Sequence, residues 1–203
     1  MARTDERGGP ATRARIREVA NRMFIERGFD SVTVAEVARE AGVSTVTVFN
    51  HFPTKEDLFL DRVDDAVEFL QSAVRDRDSD ADIVESLRKM TLDLVDSRHP
   101  LSGVDERSMP FFRTVAASPA LVARARAITA QIQRVLADEL DRDPRFDGDA
   151  GLLAAFFVAG YSAVLVETAQ RVMAGEALAA IVDAHRARFD LLFDALLHGF
   201  PGK

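Results

Sequence analysis

The chain reads as an all-α protein, with a small N-terminal three-helix domain and a larger C-terminal helical domain. Three observations predict this. Apolar residues recur at spacings of three and four and seldom alternate. Ala, Leu, Arg and Glu, all good helix formers, fill the periodic segments. The helix boundaries are marked by their own start and stop residues.

The elements follow in order. Ile16, Val19, Ala20, Met23 and Phe24 form an apolar stripe on a helix from about Pro10 to Arg27, which Gly28 stops. Thr33 and Glu36 have the T-x-x-E spacing of a capping box, and Val32 and Val37 that of a hydrophobic staple, so a short helix starts at Val34. Gly42 ends it after Ala41, and Ser44 caps a third helix that stops near Phe52, before Pro53. Thr54 and Asp57 predict a fourth helix running to about Arg75. After a charged loop at 76–82, helices are expected at about 82–97, 103–116, 119–142, 149–174 and 177–198. Ser118-Pro119 is a start signal, Gly175 and Gly199 are stops, and Pro110 predicts a kink.

The overall charge of −7 argues against a nucleic-acid partner until it is divided by position. Residues 1–62 carry ten Arg or Lys and ten Asp or Glu, whereas residues 63–203 carry 16 and 23. The net negative charge therefore lies wholly in the C-terminal part. Seven arginines (Arg3, Arg7, Arg13, Arg15, Arg17, Arg22, Arg27) fall in the first 30 residues, a basic entry segment able to meet phosphate locally.

Several function classes have no support. The chain has no cysteine, so neither a disulfide framework nor a thiolate metal site is available. Its four histidines lack ligand spacing, and no metal is expected. Asp76, Asp78 and Asp80 begin like a calcium loop, but Ala81 stands where glycine is required; Asp141, Asp143 and Asp147 fail likewise, and both runs read as solvated turns. There is no G-x-S-x-G, P-loop or G-x-G-x-x-G, so the chain is not expected to be an enzyme or to need a cofactor. The polar N-terminus shows no signal peptide, and the apolar run Gly151–Val166 is shorter than a span of roughly 20 residues. A cytoplasmic protein with no membrane partner is expected.

The segment Val37-Ala38-Arg39-Glu40-Ala41-Gly42-Val43-Ser44 meets the physical demands of a helix-turn-helix. Ala38 is small where two helices cross, Gly42 tolerates the tight turn, and Val43 and Val48 plug the junction. The second helix of such a motif enters the DNA major groove. The stretch from Thr33 to Leu58, with Ala20 to Phe29 before it, resembles the tetracycline-repressor (TetR) family over about residues 12–60.

The resemblance implies a DNA-binding domain at 1–62 and an effector-binding, dimerising domain at 63–203. It places Thr45, Val46 and Thr47 at bases and phosphates, with Thr33 and Val34 in the same DNA-contacting set. Asn50 is a reader of adenine, and His51 and Lys55 hold phosphate, Lys55 also beginning the fourth helix. Phe49 stands where the family usually has tyrosine, and Thr45 where lysine is common. Both changes remove phosphate contacts, so the recognition helix is expected to show a shallow salt dependence, with the first-helix arginines compensating.

The resemblance further implies a homodimer through the last two helices, where Leu178, Ile181, Val182, Phe189, Leu192, Phe193, Leu196 and Leu197 make a broad apolar face. Met90, Leu94, Met109, Phe111, Phe112, Phe156, Phe157 and Tyr161, with Arg113, Gln131 and Thr168, are candidate pocket residues. The run Met109 to Leu121 looks like a subset of the family with acyl-type effectors. The expected partners are an operator in double-stranded DNA and a small apolar or acyl-type effector that releases the repressor.

Overall fold

The structure is a computed structural model that describes residues 9–105 and 107–199, without the side chain of Leu178. Arg3, Arg7 and the rest of the polar segment 1–8 lie outside the described residues. Nine α-helices and no strand occur among the described residues: α1 Pro10–Arg27, α2 Val34–Glu40, α3 Thr45–His51, α4 Val63–Arg75, α5 Ile83–Asp96, α6 Ser108–Ala117, α7 Pro119–Asp141, α8 Ala150–Met173 and α9 Leu178–His198. The chain divides into two compact units, residues up to 61 together with 113–125, and residues 62–112 together with those from 126 onward.

In the first unit, α1 presents Ile16, Ala20, Met23 and Phe24 to a core completed by Phe29, Val37, Val48, Phe52, Leu58 and Phe59. Phe24 packs on Phe29 and Phe59 at ring distances of 4.9 and 5.9 Å. Both sides of the capping box form at α2: Glu36 N donates to Thr33 Oγ1 at 3.2 Å, and Thr33 N donates to Glu36 Oε2 at 2.8 Å. Val32 and Val37 are both fully buried, as a staple requires. Gly42 has a φ of 65°, the left-handed region that the tight turn demands.

Residues 113–125 join this unit although the sequence reading grouped them with the C-terminal domain. Buried Ser118 donates to Asp30 Oδ1 at 2.9 Å, and Arg124 reaches Asp57 Oδ1 through both Nε and Nη2, at 2.8 and 2.7 Å. Leu121 is fully buried.

The second unit is built on α9, which packs against α8 and α5, with α5 against α4. Its core includes Leu87, Val95, Leu136, Leu140, Phe157, Ile181, Phe189 and Phe193. Arg88 pairs with Asp190 and Asp194, and Arg186 with Asp96, so α5 runs antiparallel to α9. Gly160 marks a close crossing, because a Cβ there would lie 2.2 Å from Leu192 Cδ1. A network of arginines ties the end of α4 to the end of α7. Asp143 accepts from Arg77 and from Arg145 Nε at 2.9 Å, and Arg145 Nη2 donates to the Val74 carbonyl at 2.8 Å.

Five expectations change on this structure. The fourth helix starts at Val63, not Thr54. Thr54 and Asp57 do exchange hydrogen bonds, but only a 3-10 turn, Glu56–Leu58, follows. Adjacent Leu58 and Phe59 are both buried, Asp61 is held by Arg17 at 3.3 Å, and Asp64 and Asp65 give α4 its own acidic first turn. The helix expected from 103 begins at Ser108, which puts Pro110 in its first turn, where the missing N–H breaks no helical bond and no kink is required. Asp143 is a buried ion-pair acceptor, not a solvated turn residue.

The apolar face of α9 also turns inward. Ile181, Phe189 and Phe193 are buried in the chain's own core, and Val182, Leu192, Leu196 and Leu197 pack against it. Finally, the helix expected at 149–174 forms as α8, and its 24 residues, unlike the run 151–166 taken alone, are long and apolar enough by length and composition to cross a membrane. It leaves Leu152, Phe156, Ala159, Ala163, Val166, Gln170 and Met173 exposed, a single stripe at alternating spacings of four and three.

Candidate nucleic-acid interface

Short helices need help at both ends, and α3 has it. Ser44 Oγ accepts from Thr47 N at 3.0 Å and lies 2.9 Å from Thr47 Oγ1. At the other end Arg13 Nη1 donates to the His51 carbonyl at 3.2 Å, and its guanidinium stacks 4.5 Å from the Phe52 ring centre. A cation at a helix C-terminus suits the negative end of the dipole. Nothing local in the sequence marks Arg13 for this role, since its partner lies 38 positions away.

With Val48 and Phe52 buried beneath it, α3 presents Thr45, Val46, Phe49 and Asn50 outward. Val46 is 67% exposed and Phe49 50% exposed, so neither is core. On seven residues of helix this makes one stripe, with apolar surface at its centre and an amide and a hydroxyl at its edges. Thr33 is exposed and Val34 half-buried at the start of α2.

Other candidates have partners of their own. The Thr47 hydroxyl is engaged with Ser44 in capping. His51 is half-buried, and its carbonyl is taken by Arg13. Lys55 does not begin a long helix; its ammonium donates to the Phe29 carbonyl at 2.7 Å and sits 4.1 Å from the Phe29 ring centre. Of the first-helix arginines, Arg22 and Arg27 are paired with Glu40 and Glu36 at 2.7 and 2.6 Å, while Arg15 is exposed. Hydrogen bonds from Arg27, then from Thr33, hold the Glu36 carboxyl down at about 2. The α1–α2 clamp is therefore charged throughout the neutral range.

The candidate pocket residues do not converge on an open cavity. Leu94 and Phe157 are buried in the second unit's core, with Met90, Phe112 and Tyr161 half-buried. Met109, Arg113 and Phe156 are exposed, and Arg113 belongs to the first unit. Two clefts among the described residues, of about 300 and 350 Å³, are charged and open and are lined by none of these. One lies at Arg75, Glu139 and Arg145, the other at Arg88, Lys89 and Arg186.

A family model described as bacterial regulatory proteins, tetR family, matches residues 16–61, which run from within α1 to the exit of the 3-10 turn. The likeness to the tetR family is thus shown for this N-terminal segment. Over 59 residues the chain is 39% identical to the HTH-type transcriptional regulator AcrR of Shigella flexneri, covering 29% of this chain and 27% of AcrR. It thus spans about a quarter of the length of the relative it matches. Across nearly the whole chain the likeness is one of fold. A complex of SmeT with triclosan superposes with a TM-score of 0.59 at 21% identity, covering 91% of both chains. The Thermus thermophilus FadR, a TetR-family repressor in complex with lauroyl-CoA, gives 0.51 at 25% identity over 94% of this chain and 96% of that one.

Proposed function

We propose that the protein is a transcriptional regulator that binds a pseudo-palindromic operator as a homodimer and is released by a small effector. The observation that carries this reading is the outward stripe Thr45, Val46, Phe49 and Asn50. Exposing a large apolar ring at the middle of a well-capped helix serves no folding purpose, but it suits a major groove. There Val46 meets a thymine methyl and Asn50 pairs with adenine. Dimerisation supplies the second half-site, one DNA turn of roughly 34–36 Å away.

The stripe on α8 supports the dimer. Leu152, Phe156 and Val166, each more than half exposed, lie on one line of a helix whose opposite side buries Ala154, Phe157, Val158, Val164, Thr168 and Val172. The spacing of three and four matches helix-on-helix packing, and a second copy of α8 and α9 covers it. The face used is the one away from Phe189 and Phe193 and includes Leu191. This reading places the protein in the cytoplasm with its DNA and accounts for the apolar length of α8 without a membrane.

The ligands in the SmeT and FadR complexes, triclosan and lauroyl-CoA, support an apolar or acyl-type effector. Such an effector releases DNA only by favouring one spacing of the recognition helices over another. A second reading, a regulator with no effector, is favoured by the closed packing around Leu94 and Phe157. Selection of genomic fragments on the purified full chain, followed by sequencing, tests the DNA reading. One enriched palindrome is expected from wild type and none from Val46→Ala/Asn50→Ala. Equal retention of all fragments would overturn it. Effectors are then tested by their power to displace that palindrome.

A further inference from the structure

The outward face of α3 is defined as much by what it lacks as by what it shows. The helix carries no arginine or lysine, the side chains that read guanine bidentately through O6 and N7. The Thr47 hydroxyl is engaged in the cap, 2.9 Å from Ser44 Oγ, and His51 is half-buried in the last turn. What meets solvent is Val46 at 67% exposure and Phe49 at 50%, with Thr45 and Asn50 exposed beside them.

Val46 and Phe49 are three positions apart, so their Cβ atoms lie about 5–6 Å from each other on one side of the helix. Val48 and Phe52 are buried on the other side and fix the rotation of α3. Ser44 holds its first turn and Arg13 its last, so the apolar pair is set in place before DNA arrives and little ordering cost falls on binding.

On the base edges of the major groove one group is apolar, the methyl on C5 of a pyrimidine. Thymine always carries it, and cytosine carries it only when methylated at C5. Successive bases on one strand rise about 3.4 Å, so a patch of this breadth covers methyls on neighbouring base pairs. Uracil or plain cytosine in the same place leaves Val46 and Phe49 facing a polar edge and its water.

We infer that the sequence preference of this helix is carried mainly by pyrimidine C5 methyl groups, and that 5-methylcytosine replaces thymine under Val46 and Phe49. Occupancy of such a site therefore responds to cytosine methylation. The inference rests on the reading of the chain as a DNA-binding regulator. Asn50 and Thr45 set the register at the edges of the patch, while the methyl contact buries apolar surface and forms no ion pair. Its contribution is accordingly insensitive to salt, unlike that of phosphate contacts.

The test begins with genomic fragments selected on the full chain, which give the preferred site. Duplexes of that site are then made with one thymine at a time changed to uracil, to cytosine or to 5-methylcytosine. Uracil differs from thymine, and cytosine from 5-methylcytosine, only in the methyl. Affinity is read by fluorescence anisotropy at about 50 and 200 mM salt. At one or two positions in each half-site, uracil is expected to weaken binding by about 4-fold, and 5-methylcytosine to bind about 4-fold tighter than cytosine. Both ratios should be the same at the two salt concentrations. Val46→Ser and Phe49→Ser are each expected to flatten the ratios at the positions they cover, whereas Asn50→Ala weakens binding overall and keeps them. A selected half-site without thymine, uracil that binds like thymine at every position, 5-methylcytosine that binds no tighter than cytosine, or serine variants that keep both ratios would overturn the inference. A chain that selects no site removes the regulator reading and this inference with it, whereas a site bound tightly with flat ratios removes this inference alone.

Discussion

Asp143→Asn tests the arginine network where the physics is least forgiving. The Arg77 side chain is 3% exposed and that of Asp143 5% exposed, and Asp143 also accepts from Arg145 Nε, Nη2 and backbone N at 2.9, 3.1 and 3.0 Å. The amide keeps one acceptor oxygen and the shape, but leaves Arg77 buried with no counter-charge. Arg77 retains the Val74 and Ala81 carbonyls at 2.8 and 3.3 Å, and Arg145 is one-third exposed, so water can soften the loss. The cost should therefore sit near the low end for a broken buried pair, about 3 kcal/mol. Urea unfolding at pH 7 would show a lower midpoint with an unchanged slope. The pH dependence gives an internal control. Hydrogen bonds from Arg145, and then Arg77, hold the carboxyl well below the usual carboxylate range. A depressed carboxylate contributes stability above its unfolded value, near 3.9, and loses it as pH falls through the folded value. The gap between wild type and variant should thus be widest above about pH 5 and shrink progressively below about pH 4. A variant within about 1 kcal/mol of wild type at pH 7, or a gap that widens in acid, would refute this account of the network.

Phe49→Ala should leave the urea midpoint unchanged, since half the ring is exposed in the free protein. It should weaken operator binding by about 5- to 30-fold, the worth of burying roughly 50–80 Å² of apolar surface on DNA, measured by fluorescence anisotropy. Thr45→Lys adds a phosphate-reaching cation to an exposed position; the plot of log affinity against log salt should steepen by about 0.9, and an unchanged slope would place residue 45 away from the backbone. Gly160→Ala gains about 1 kcal/mol of helix propensity but pushes a methyl into the Leu192 side chain, for a net loss of about 1–2 kcal/mol in thermal unfolding. Leu192→Ala in the same chain should recover part of that loss, giving a non-additive pair in a double-mutant cycle.

Local chemistry made much of the fold legible in advance. Thr33, Ser44, Asp82 and Asp149 each accept a backbone N–H at the start of a helix, and Gly28 and Gly42 stop helices with positive φ. The helix-turn-helix could be read because its spacing is dictated within 20 or so residues. What could not be read depended on distant partners. Arg77 and Asp143 are 66 positions apart, and Ser118 and Asp30 are 88 apart, so neither acid declares itself in sequence. Lys55 looked like a phosphate ligand because nothing local shows that the Phe29 carbonyl lies under it. The apolar residues of α9 satisfy a dimer face and a core face equally well by composition; only burial separates Phe189 and Phe193 from Leu191. His185 has no metal-ligand spacing, and nothing local marks its contact of 2.6 Å with Thr168, 17 positions away.

The union of residues 113–125 with the head of the chain has a consequence for anyone who wishes to move that head elsewhere. The reading module is not a contiguous cassette. A fragment cut after residue 61 leaves Asp30 without the Ser118 hydroxyl and Asp57 without Arg124, and it uncovers the apolar seat of Leu121. Chimeras that transplant only the first 61 residues would lose the Ser118 and Arg124 contacts and inherit an open patch. Chimeras that carry the α6–α7 corner along with the head would inherit a finished surface. Recombination between relatives of this chain should accordingly tolerate exchange of the two segments together far better than exchange of either alone.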